Sequence, residues 1–137
     1  MITFRVDGVP IAQGSKSAYI AGNRAVMFDQ KASRLNPWRK KVADAARATG
    51  VTHEAHAPLV VQIVFILPRG KTVKREHPTT KPDGDKTERA IWDALTQSGL
   101  IHDDAQIVEW SGRKRYQLAN EEPGVVIRVY RIEEKEL

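Results

Sequence analysis

Between residues 82 and 104 the chain carries six acidic groups against two basic ones, and their spacing could serve a hard cation. Asp83 and Asp85 stand two apart across Gly84, which lets the backbone bend so that both carboxylates can converge. Asp103-Asp104 follows about 20 residues later. Mg²⁺ takes oxygen ligands and keeps several waters, so two or three carboxylates suffice to hold it. Lys86 and Arg89 could offer positive charge to a phosphate, or could pair with Asp85 along a helix. A purely structural role is equally open: Asp85 with Glu88 has the spacing of a capping box, Asp83 suits a positive helix terminus, and Asp103-Asp104 suits a turn. His102, beside that pair, is the one histidine placed to act as a general base, since His53, His56 and His77 show no metal-ligand spacing. Gly14-Ser15-Lys16 lacks the glycine spacing of a phosphate-binding loop.

The elements that must position these groups follow from periodicity. Ile2 to Val6 alternates as a strand, stopped by Asp7-Gly8 and Pro10. Tyr19-Ile20 and Ala25 to Phe28 flank a Gly-Asn turn, the pattern of a short hairpin. Leu35, Trp38, Val42, Ala45 and Thr49 form a helical stripe, with Asn36-Pro37 as its expected start and Gly50 as its stop. Leu59 to Leu67 is apolar on both alternations, as in a central strand covered on two faces. Pro68 and Gly70 end it, and a basic loop runs from Lys71 to Lys81. A second helix is expected from about Asp85 to Ser98, stopped by Gly99. Gln106 to Tyr116 and Val125 to Ile132 are expected strands joined by a turn at Glu121 to Gly124. The sum is a single α+β domain over residues 1–137, with one mixed or antiparallel sheet and two main helices. A helix of about 14 residues is ~20 Å long. Asp103-Asp104 therefore belongs at its far end, unless the next strand returns the pair to Asp83 and Asp85.

Charge is unevenly spread. The net charge is +5, but residues 1–50 hold nine basic against three acidic groups and residues 51–81 five against two. A basic region favours a polyanion, and an acidic island inside it would repel one unless a divalent cation lay between. The absence of cysteine excludes thiol nucleophiles, disulfides and thiolate metal sites. No apolar run approaches a bilayer span, and Arg5 and Asp7 interrupt any signal-peptide core. These features lead us to expect a soluble, cytoplasmic protein with no membrane partner.

Pro82-Asp83-Gly84-Asp85, Arg89, Asp93-Ala94-Leu95, Gly99 and Asp103-Asp104-Ala105-Gln106-Ile107 together resemble the RusA-type Holliday-junction endodeoxyribonucleases. The close match spans about residues 81–108, with a looser one from Gly8-Val9-Pro10 to Ser15. The resemblance implies a homodimeric, Mg²⁺-dependent nuclease (Mn²⁺ as a substitute) of phage or prophage type. Such an enzyme resolves four-way DNA junctions by paired nicks in recombination and repair. It carries the metal-binding aspartates to Asp83, Asp85 and Asp104, with Asp103 matching the preceding member of the pair. The family's active-site lysine falls on Arg89, and the asparagine after its second aspartate falls on Lys86, so either cation could face the phosphate. Lys16, Arg24, Arg39, Lys40, Lys71, Lys74, Arg75 and Lys81 are the candidates for gripping DNA backbone, and the Tyr19 to Phe28 hairpin is a candidate dimer surface. The competing readings are a non-catalytic nucleic-acid-binding module and a branched-DNA nuclease of broader specificity.

Overall fold

A computed structural model describes the backbone of residues 1–14, 16–21, 24–29 and 32–136, and the side chains of residues 1–14 and 33–134. The elements run β1 (Ile2–Asp7), β2 (Lys16–Ala21), β3 (Arg24–Asp29), α1 (Ala32–Ala48), β4 (Leu59–Leu67), α2 (Gly84–Ser98), β5 (Ile107–Tyr116) and β6 (Gly124–Arg131). Short 3₁₀ turns cover Asp104–Gln106 and Ile132–Glu136. The order β1-β6-β4-β5 makes a mixed four-stranded sheet, and β2 with β3 forms a separate antiparallel hairpin.

β4 lies inside the sheet, antiparallel to β6 and parallel to β5, as its doubly apolar sequence predicts. Leu59, Val61, Ile63, Phe65 and Leu67 point to one face, where both helices bury Trp38, Val42, Ala46, Ile91, Ala94 and Leu95 against them. β5 and β6 are not neighbours across a turn: β4 stands between them. Parallel pairing of β4 with β5 needs a long crossover, and the segment carrying α2 supplies it.

Helix starts depart from the sequence reading. α1 begins at Ala32, so Pro37 lies inside it and Asn36 is not its cap. Its buried stripe is Leu35, Trp38, Val42, Ala43 and Ala46, leaving Ala45 and Thr49 only half-buried. α2 ends as expected at Gly99, whose left-handed φ of 84° suits glycine. Gly124 opens β6 against Asp7 with no room for a side chain, since a Cβ there would collide with the Val6 carbonyl oxygen.

Candidate active site

The start of α2 is built by Asp83 and Thr87. Asp83 occupies the N-cap with extended backbone (φ −67°, ψ 134°), and its carbonyl accepts from the Thr87 amide at 3.0 Å and the buried Thr87 hydroxyl at 2.5 Å. Its side chain makes no capping bond. The carboxylate instead accepts from Lys81 Nζ at 3.0 and 3.1 Å and lies 3.9 Å from Lys86 Nζ. That Lys81 bond first, then the charges of Lys81, Lys86 and Lys114, hold the Asp83 carboxyl below the usual range. Asp85 is not the cap, so the Asp85–Glu88 capping box does not form. Asp85 and, a turn later, Arg89 are exposed, and among the described residues their side chains make no hydrogen bond or ion pair. Two remote segments fasten this end: Lys114 Nζ donates to the Thr80 and Pro82 carbonyls at 3.0 and 2.9 Å, and the Gln13 amide donates to Lys86 O at 3.0 Å.

The other end of the helix gathers a second group of carboxylates. Here the capping box is real: Asp103 Oδ1 accepts from the Ala105 amide at 2.8 Å, and Gln106 Oε1 accepts from the amides of His102 and Asp103 at 2.8 and 3.1 Å. Gln106 is buried and its Nε2 donates to the carbonyls of Glu54 and Ala57, tying the turn to the loop before β4. Asp104 then faces an open cleft of about 540 Å³ lined by Arg39, Asp93, Thr96, Gln97 and Asp103. Burial first, then the hydrogen bond with Asp103 and the charges of Asp103 and Asp93, push the Asp104 carboxyl up. The Ala105 amide and then Asp104 pull Asp103 down. His102 is exposed and lines, with His56 and Asp103, a separate cavity of about 270 Å³.

One chain thus carries two separate groups of carboxylates. Asp104 shares its cleft with Asp93, and Asp93 lies eight residues, or ~12 Å of helix, beyond Asp85. Mg²⁺–oxygen distances are near 2 Å, too short for one ion to span that gap. Among the described residues no three acidic or histidine side chains converge as a metal cage. Asp83 and Asp85 are together, Asp103 and Asp104 are together, and the two pairs are apart.

The basic candidates divide as well. Lys71 and Lys74 are exposed with no ion pair among the described residues, while Lys40 pairs with Asp44 and Lys81 with Asp83. Arg75 lies over the Tyr116 ring with Arg69 and donates to Thr80 Oγ1. Arg39 lines the acidic cleft, its Nε buried without a partner. The side chains of Lys16, Arg24 and the Tyr19 to Phe28 hairpin lie outside the described residues. Asp93, Gln106 and Lys114 were missed as site-builders by sequence reasoning. The first two stand inside the quoted motif, whereas nothing local marks Lys114, which acts from a strand some 30 residues away.

An α+β domain with carboxylates at both ends of one helix, and lysines about one of them, has the parts of a phosphodiester-cleaving enzyme. The chain belongs to the RusA endodeoxyribonuclease family, whose model (Endodeoxyribonuclease RusA) matches residues 7–130. Membership implies an endonuclease hydrolase that acts on branched DNA junctions. Uncharacterized protein YqaN of Bacillus subtilis (strain 168) is 29% identical over 140 residues, covering 93% of this chain and 94% of that protein. Among the described residues no helix is long and apolar enough to cross a membrane.

Proposed function

We propose that this protein resolves four-way DNA junctions by Mg²⁺-dependent paired nicks, acting as a homodimer in recombination and repair. The observation that carries the reading is the two groups of carboxylates, one at the start of α2 and the other in the turn beyond its end. Asp85 is an exposed carboxylate with no hydrogen bond or ion pair among the described residues, lysines hold the Asp83 carboxyl below its usual range, and partial burial with the charges of Asp103 and Asp93 pushes Asp104 up. Hard oxygen donors with surplus negative charge fit a divalent cation. Asp83 and Asp85 of one chain with Asp104 of a second would hold it, Asp103 and Asp93 flanking. A symmetric dimer then has two such sites, one for each opposed strand of a two-fold junction. When bound, the metal supplies charge stabilisation to the phosphate and lowers the pKa of a water.

The chain's own groups do the rest. Arg89, exposed one turn beyond Asp85, presents a planar fork of donors to the non-bridging phosphate oxygens, with Lys86 as the neighbouring cation. Lys71 and Lys74, with Arg75 and Lys81, lie on the loop leading into α2, where backbone contacts position the arms without reading sequence. A synthetic four-way junction with and without Mg²⁺ provides the test. Asp83→Asn, Asp85→Asn and Asp104→Asn should each abolish nicking and keep junction affinity. Wild-type rates in two of them would refute the site, and no Mg²⁺-dependent nicking by the native protein would leave a binding module.

A further inference from the structure

The loop between β4 and α2 folds back over the ends of β4 and β5 and leaves a hollow of about 170 Å³. Val9, Pro10, Leu67, Val73, Pro78 and Tyr116 wall it, and Arg75 and Lys81 add two exposed cations to its lining. The loop is held in this shape by its own bonds. Arg69 donates to the Val73 and Arg75 carbonyls at 3.3 and 2.8 Å, and Arg75 donates to Thr80 Oγ1 at 3.2 Å. Both guanidinium groups lie by the Tyr116 ring, 4.9 and 5.9 Å from its centroid.

One group in the wall is left without a bond. Tyr116 is only 9% exposed, and its buried hydroxyl has no hydrogen-bond partner among the described residues. Buried tyrosines ordinarily find one, because an unmade bond leaves the desolvation of the hydroxyl uncompensated. Phenylalanine would fill the same wall without that penalty. A partner from outside must be flat enough to lie among prolines and aromatic carbon, and polar at its edge. The hollow has room for about six waters at ~30 Å³ each, or for one heteroaromatic ring system in their place.

We propose that the hollow receives one unpaired nucleobase of the DNA, its edge bonded to the Tyr116 hydroxyl. Charge selects this occupant. Lys71 and Lys74 share the loop with Arg75 and Lys81, so the approach favours a ligand that carries anionic charge. A nucleotide supplies both parts, a base for the hollow and a phosphate for Arg75 and Lys81. Position selects it too. Lys81 and Pro82 line the hollow, and Lys81 Nζ lies 3.0 Å from the Asp83 carboxylate, so the pocket adjoins the start of α2. The inference rests on the proposed function and deepens it, by naming the part of the junction that is held: a nucleotide near the cleaved phosphate that has left its stack. Extrusion costs least where pairing is already interrupted, as at a crossover. A hydroxyl both donates and accepts, so this contact does not choose among the four bases.

The test compares binding of a duplex carrying one bulged nucleotide with binding of the same duplex carrying an abasic bulge. Mg²⁺-dependent nicking of a four-way junction is measured on the same protein. The native chain should bind the bulged base about tenfold more tightly than the abasic bulge at equal salt. Tyr116→Phe should reduce that preference to about threefold or less, since one hydrogen bond is worth at least roughly that factor in Kd. Its Tm should stay level or rise, because the orphaned hydroxyl is gone. Val9 is half exposed, so Val9→Trp can fill the hollow from its rim; it should abolish the preference and keep native circular dichroism. Equal affinity for the two duplexes overturns the inference, even if junctions are nicked. So does a preference that survives either variant, or a Tyr116→Phe protein that melts clearly lower, which would give the hydroxyl a structural task. A preference that both variants remove, in a native protein that nicks no junction, upholds the pocket and refutes the nuclease reading instead.

Discussion

Replacing Gln106 with methionine keeps the volume and flexibility of the side chain and removes four hydrogen bonds. Two are accepted by Oε1 from the His102 and Asp103 amides, and two are donated by Nε2 to the Glu54 and Ala57 carbonyls. An intramolecular hydrogen bond contributes ~0.5–1.5 kcal/mol net, so four give roughly 2–6 kcal/mol. Only the bond to Ala57 is fully buried, and water can replace part of the others, so about 3 kcal/mol is expected. For a domain of this size that is a fall in Tm of about 10 °C. The loss has a direction as well as a size. Gln106 joins the turn bearing Asp103 and Asp104 to the loop before β4, so its removal frees Asp104 at temperatures where the domain is still folded. Single-turnover nicking at 25 °C should then fall on the order of tenfold or more, as misplacing a catalytic carboxylate does. Gln106→Glu should be worse, because it turns the donor toward two carbonyls into an acceptor and adds charge beside Asp103. Thermal melts by circular dichroism and quenched-flow cleavage measure the two effects. A methionine variant melting within about 3 °C of the native protein, less than ~1 kcal/mol, would refute the account of the turn.

Three further outcomes are expected. Asp93→Asn removes one of the charges that raise Asp104, so Asp104 stays ionised to lower pH and the acid limb of the cleavage profile at saturating Mg²⁺ should move down. Arg89→Ala should slow single-turnover cleavage with little change in Tm or junction affinity, since the side chain is exposed and makes no hydrogen bond or ion pair among the described residues. Glu121 is held at about 2 by its bonds from Arg115 and the Leu118 amide, against 4.5 unfolded. A depressed carboxyl contributes stability that is complete above the unfolded value and lost as pH falls through the folded one. Urea unfolding of Glu121→Gln should therefore lose part of the native protein's decline between about pH 4.5 and about pH 2, and unaltered pH dependence would refute the assignment.

Much of the frame was legible because periodicity is local. The doubly apolar β4, the β2–β3 hairpin and the Gly99 stop all follow from neighbouring residues. What was not legible depended on residues far apart in sequence. Insertion of β4 between β5 and β6 is a pairing choice that neither strand announces. Asp85 loses the cap to Asp83 because the buried Thr87 hydroxyl and amide both take the Asp83 carbonyl, fixing the helix start one residue earlier. The true capping box lies in Asp103 and Gln106, where the glutamine stands in a motif whose conspicuous residues are its aspartates. Whether the Asp103-Asp104 pair returns to Asp83 was open from spacing, and the parallel run of β5 answers it: the pair stays where β5 begins.

The two carboxylate groups are electrostatically unlike, which bears on why they are separate. At the start of α2, lysines surround Asp83 and keep it charged without a metal. At the far cleft, partial burial first, then the neighbouring carboxylates of Asp103 and Asp93, push Asp104 up, so a cation there would relieve an unfavourable charge. Bringing both groups together within one chain would add Asp83 and Asp85 to that repulsion in every free monomer. Keeping them ~12 Å or more apart along a rigid helix avoids this. On the proposed reading, the repulsion arises only when two chains meet and a divalent ion enters with them. Cleavage competence is then tied to the assembly that supplies two sites for two strands, and a lone chain has no complete centre with which to make a single unpaired nick.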